Sequence, residues 1–180
     1  MFARIILTGL VALLASCATT APPERLGLQL APAGLGQEIA LQQHLLIERN
    51  GKTDEIDAAL EVDASQLQLV GLAFGQRVLS LNYDGKSMNA WRHFMLPQQV
   101  RAEDILEDLQ LTLWPLLSIQ KALPLGWRIV DQELQRSLYL DDRLICVITY
   151  TAMPRWSGTV QLDNLRYHYR ITIQSINNGQ

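Results

Sequence analysis

Few residues in this 180-residue chain could do chemistry, and they fall into three groups: two cysteines, three histidines and short runs of carboxylates. Cys17 ends a short apolar run in "LLASCATT", and Cys146 sits among alternating apolar residues in "RLICVITYT". His44, His93 and His168 have neither an i, i+4 spacing nor a Cys/His cluster, so no zinc site of familiar spacing is encoded. His168 alternates with Arg166 and Arg170, which reads as the solvated face of a strand. There is no G-x-S-x-G elbow, glycine-rich phosphate loop or HExxH. Asp141 and Asp142 pair two carboxylates where a hairpin turn is needed. Asp104, Glu107 and Asp108 read as a solvated helix face. These residues predict a protein that is not an enzyme and needs no metal or dissociable cofactor.

Cys17 is where covalent chemistry is predicted. Met1 to Arg4 form a short basic start, and Ile5 to Ala15 form an apolar stretch far below the roughly 20 residues that span a bilayer. The stretch fits a secretory h-region. It closes on Leu14-Ala15-Ser16-Cys17, which resembles a bacterial lipobox: a small residue before the cut admits the backbone to a peptidase, and the cysteine sulfur takes a diacylglycerol. Ala18 to Pro23 then read as a linker and not as a continuing helix. The expected organisation is a signal peptide over 1–16, a lipidated linker over 17–24 and a single domain over 25–180. The resemblance to bacterial lipoproteins implies three acyl chains on Cys17, a far firmer hold than a single chain gives. It also implies outer-membrane sorting, because Ala18 and not aspartate follows the cysteine. With Cys17 acylated, Cys146 has no thiol partner and is expected to be a small buried apolar residue.

Composition removes other classes. The formal charge is −3, with no electrostatic footprint for nucleic acid and no cluster of basic residues to make a polybasic membrane patch. At 48% hydrophobic and 18% charged, the chain can bury a genuine core.

The elements that must position these residues follow from periodicity. Leu26, Leu28 and Leu30 alternate as in a short strand, and Ile39, Leu41, Leu45 and Ile47 alternate in a second, with Gln43 interrupting. "NGK" at 50–52 predicts a hairpin turn, followed by Ile56, Ala58, Leu60 and Val62 on one face. "QLQLVG" and "RVLSLNY" continue a meander, interrupted by "GLAFGQ" at 71–76. From Arg101 the spacing turns helical through Ile105, Leu106, Leu109 and Leu113, with acids in the first turn. Pro115 should break this helix, and a second short helix should follow in "LLSIQKAL". Strands are expected again in "ELQRSLYL", "LICVITYT", "TVQLDN" and "RYHYRITIQ", the last with Tyr167, Tyr169, Ile171 and Ile173 on one face. The predicted class is α+β: a long antiparallel sheet with a helical segment inserted midway.

This order of lipobox, meander, helical insert and closing strands resembles LolA and LolB, the periplasmic carrier and outer-membrane receptor of lipoproteins. The resemblance implies a curved antiparallel sheet, an incomplete β-barrel, with the helical insert covering its concave face. "LEDLQLTLWPL" (106–116) and "VQLDNLRYHYRITIQ" (160–174) resemble, more closely, an uncharacterised family of proteobacterial lipoproteins often encoded beside aryl-polyene biosynthesis genes. The likeness to LolB implies an exposed apolar residue on a loop between early strands. The matching stretch is "GLAFGQ", with Leu72 and Phe74 as candidates for engaging membrane or acyl chains. The alternative for both is burial in a bulge. Trp114, beside the helix break, is the candidate for one rim of an apolar cavity. The expected function is that of an outer-membrane lipoprotein on the periplasmic face. It binds or receives an acylated molecule, a lipoprotein or an aryl-polyene lipid, with a LolA-like carrier as partner. The alternative is a non-catalytic lipoprotein that scaffolds partner proteins.

Overall fold

The computed structural model describes residues 25–177, so Cys17, the run before it and the linker up to residue 24 lie outside the described residues. Ten strands and two helices follow in order: β1 (Ile39–Arg49), β2 (Lys52–Val62), β3 (Leu67–Ala73), β4 (Gln76–Tyr83), β5 (Met88–Arg92), α1 (Ala102–Leu113), α2 (Leu116–Ala122), β6 (Trp127–Gln132), β7 (Gln135–Leu140), β8 (Arg143–Tyr150), β9 (Gly158–Asn164) and β10 (Tyr169–Asn177). They form one antiparallel sheet in the spatial order β5-β4-β3-β2-β1-β10-β9-β8-β7-β6. The first five strands step outward from β1, the helices carry the chain to the other edge, and the last five step back to it. β5 and β6 are the two edges and do not pair with each other, so the sheet stays open.

Alternation builds the inner face. In β2, Ala58, Leu60 and Val62 are buried while Asp57, Ala59 and Glu61 are exposed. The register lines up Leu41, Leu60, Leu69 and Leu81 as one buried row across four neighbouring strands. The same register defines two ends. The turns after Arg49, Ala73, Leu140 and Asn164, the loop after Arg92 and the turn before Trp127 lie at one end, called upper here. The turns after Val62, Tyr83, Gln132 and Tyr150 lie at the lower end.

α1 is buried over more than one face. Leu106, Leu109 and Leu113 form the predicted stripe, but Glu107, Gln110, Leu111 and Thr112 are buried with them. A helix buried all round needs cover on every side. The sheet provides one side, and the segment 25–31 with the 3₁₀ turn Pro32–Leu35 provides the other. The expected strand through Leu26, Leu28 and Leu30 is therefore not a strand. Its alternation is real, with Leu26 and Leu28 buried, but its partner is a helix and not another strand. Side chains replace the missing ladder. Gly27 N–H donates to Glu107 Oε2 at 2.6 Å, and Gln110 clamps Leu30 by accepting from its N–H at 2.9 Å and donating to its carbonyl at 2.8 Å. Further along, Ser118 Oγ donates to the Gly34 carbonyl at 3.1 Å.

The end of α1 is also satisfied from outside. Pro115 stops the helix at Trp114, as predicted, leaving carbonyls without partners in the last turn. Arg136, only 1% exposed, donates to the carbonyls of Leu111 and Trp114, and Tyr150 Oη donates to that of Thr112 at 2.8 Å. A cation at this point also suits the helix dipole. Asp131 balances it, accepting from Arg136 at 3.0 Å and from Arg155 at 2.6 Å.

Two further expectations are corrected. "WRIVDQ" forms β6, an edge strand that the sequence reading leaves out, with Glu133 in the turn after it. β10 begins only at Tyr169, so Tyr167 precedes the strand, and His168, at φ +54°, belongs to a turn and not to a strand face.

Candidate functional site

The stretch "GLAFGQ" closes the β3–β4 hairpin at the upper end. Ala73 pairs with Gln76, which leaves Phe74 and Gly75 as a two-residue turn with φ of +51° and +73°. Two left-handed residues make the turn that matches strand twist, and Asn-Gly is its favoured pair. Gly75 fits that rule and Phe74 breaks it. A bulky residue held in left-handed backbone costs on the order of 1–3 kcal/mol, and Phe74 recovers nothing by packing because it is 97% exposed. Leu72, beside a register shift in β3, is 37% exposed. The hairpin itself does not account for phenylalanine at its tip.

Trp114 is placed differently. It is 0% exposed, and its indole N–H donates to the Ala31 carbonyl at 3.2 Å. The segment 25–35 crosses it so closely that a Cβ on Gly34 would stand 3.2 Å from the indole nitrogen. Trp114 therefore anchors the fold between helix and strap, and it lines neither of the two cavities at the sheet ends. The concave face is occupied by α1 and the strap. Two open cavities lie at the ends of the sheet: one of about 370 Å³ at the turn after Arg49, where Glu48, Lys52, Asp163 and Arg170 gather, and one of about 200 Å³ where Glu38, Glu61 and Asp63 stand beside Ile39 and Val62.

Asp104, Glu107 and Asp108 also depart from expectation, because they are not a solvated face. They surround Arg25, whose guanidinium lies 3.1 Å from Asp104 and 3.9 Å from both Glu107 and Asp108. Arg25 also lies over the Tyr167 ring, 4.3 Å from its centroid. Tyr169 Oη donates to Asp108 Oδ2 at 2.6 Å and accepts from Asn164 Nδ2 at 3.1 Å. Burial pushes the Asp108 carboxyl up to about 7, against the opposing pull of the Tyr169 hydrogen bond and Arg25. Burial likewise raises Glu107 and Asp104 and, with the Asp108 charge, drives the Tyr169 hydroxyl upward.

This gives the cluster a pH dependence with a definite sign. A carboxyl raised on folding contributes stability that is complete below its unfolded pKa, near 4, and lost as pH climbs through its folded value, about 7. Asp108→Asn keeps the hydrogen bond from Tyr169 and removes the titration. Urea midpoints of this variant should fall less between pH 5 and pH 8 than those of the parent chain, with the remaining fall coming from Glu107 and Asp104, which burial also raises. An equal fall in both would place the titration elsewhere. One signal in the sequence could have revealed the cluster. Glu103/Glu107 and Asp104/Asp108 are like-charge pairs at i, i+4, which destabilise a solvated helix unless a cation joins them. Arg25 lies 79 residues before Asp104 and could not be named from that pattern.

The histidines stay apart in structure as in sequence. His44 Nδ1 pairs with Asp57 Oδ1 at 2.8 Å, and His93 Nδ1 accepts from Met95 N–H at 3.3 Å. Among the described residues no group of potential ligands could hold a metal ion, and no helix is long and apolar enough to cross a membrane. Cys146 is buried, with burial raising its thiol pKa.

The arrangement defines an open ten-stranded antiparallel sheet wrapped on a central helix, with an exposed apolar side chain at one hairpin tip. The chain belongs to a family of proteins of unknown function, DUF3261, which matches residues 40–177. That match takes in the whole sheet from the second residue of β1 and both helices, and it begins after the strap. No curated protein matches the chain.

Proposed function

We propose that this chain is an outer-membrane lipoprotein, anchored through Cys17, that receives or holds an acylated hydrophobic molecule in the manner of LolB. The observation that carries this reading is Phe74: a fully exposed aromatic side chain on a strained turn, where a polar residue would serve the fold better. An apolar tip of this kind can engage an acyl chain at the membrane before the chain enters the protein. Entry needs no covalent chemistry, because shielding each methylene from water is worth roughly 0.8 kcal/mol. The route inward passes the strap, which Glu107 and Gln110 hold by hydrogen bonds that can be exchanged for water. The partners in this reading are a lipoprotein or an aryl-polyene lipid and a LolA-like carrier that delivers it.

A second reading, a scaffold for other proteins at the same membrane, is favoured by one observation: α1, Trp114 and the strap fill the concave face. Native mass spectrometry of the full acylated chain with a fluorescent fatty acid separates the two. A carrier retains lipid or takes up the probe. No uptake across several acyl ligands retires the carrier reading and leaves the scaffold.

A further inference from the structure

The three most exposed large apolar side chains among the described residues are Leu125, fully exposed, Phe74, and Phe94 at 87%. They come from three separate connections, the turn before β6, the β3–β4 hairpin and the loop after β5, yet the sheet register puts all three at the upper end. The Asp141 N–H donating to the Gly126 carbonyl at 2.9 Å fixes the first of them there, and His93 N–H donating to Val78 at 2.8 Å fixes the last. Nothing in the fold requires apolar side chains at these tips, since loops of this kind are ordinarily polar.

Charge leans along the same axis. Lys52, Arg77 and Arg143 stand exposed at the upper end, where Glu103 and Asp142 are each taken up by an arginine at 3.4 Å and Asp54 and Asp141 are the exposed acids beside them. The lower turns carry Glu38, Glu61, Asp63, Asp84 and Glu133, with Lys86 as an exposed cation among them. Arg25, the first described residue, also sits at the upper end, beside Tyr169 at the start of β10. The strap then runs to the lower end, where Pro32 lies against Gly85.

From these observations we infer that the upper end is a docking face for a lipid bilayer with anionic headgroups. Phe74, Phe94 and Leu125 enter the headgroup boundary, and the flanking basic side chains meet the phosphates. The inference rests on the reading of Cys17 as a lipid anchor for its third support, the tether. Eight residues from Cys17 to Arg25 reach at most about 28 Å, less than the roughly 36 Å run of the eleven-residue β1. Such a tether holds the Arg25 end, and not the lower end, toward the lipid. The domain is thereby oriented, with Phe74 delivered to the acyl region instead of turned to solvent.

The test uses the full acylated chain, its acylation read by mass, in vesicles of phosphatidylethanolamine and phosphatidylglycerol containing a nitroxide-bearing phospholipid. An environment-sensitive fluorophore is placed on Leu125→Cys in one variant and on Lys86→Cys, at the lower end, in another; Cys146 is buried and Cys17 blocked. The face predicts loss of most of the fluorescence at position 125 and little loss at position 86. Equal quenching at both positions, or none at 125 while the chain is acylated and bound, overturns it. Fatty-acid uptake is read separately on the same samples. Quenching at 125 without uptake therefore keeps the docking face and retires the carrier, whereas uptake without quenching does the reverse.

Discussion

Replacing Arg136 with methionine is expected to lower the unfolding free energy by about 3–5 kcal/mol, the usual cost of removing one partner from a buried charge network. The guanidinium caps the carbonyls of Leu111 and Trp114 and pairs with Asp131. Methionine fills similar space but leaves both helix carbonyls unbonded inside the protein. It also leaves Asp131 with Arg155 as its remaining charged partner. The urea midpoint followed by circular dichroism reads the effect. A fall below about 1 kcal/mol, within the range of an exposed ion pair, would mean that the end of α1 is satisfied by other groups and that Arg136 is not its cap.

The second large effect is on function and not on folding. Leu72→Glu with Phe74→Glu should leave the melting temperature nearly unchanged, because substitutions at exposed positions usually stay within about 0.5 kcal/mol. Acyl uptake and membrane engagement should fall sharply, since a charge at acyl depth costs about 2.5–3.5 kcal/mol on insertion scales. Phe74→Asn is the companion variant. Asparagine tolerates left-handed backbone, so it should raise stability slightly while removing the apolar tip. Uptake that survives both substitutions at the parent level would remove the hairpin from the mechanism. A large loss of stability in the double variant would assign a packing role to Leu72, the less exposed of the two.

Much of this fold is local and was legible in the residues. The alternation of Ile56, Ala58, Leu60 and Val62, the helix stop at Pro115, the turn at Asp141 and Asp142 and the burial of Cys146 each follow from preferences spanning a few residues. The stretch "GLAFGQ" could be marked as either an exposed loop or a bulge, and its backbone decides that Phe74 stands in solvent. What the residues could not disclose are the contacts between segments far apart in the chain. The strap alternates as a strand would, but its partner is Gln110, 80 residues away, so its backbone is satisfied by side chains. Asp104, Glu107 and Asp108 look solvated until Arg25 and Tyr169 arrive from opposite ends of the described chain. Periodicity reports which side of an element is apolar. Whether a polar side chain is buried depends on what the topology brings to it, and only the folded sheet, with both edges open and a helix at its centre, supplies that.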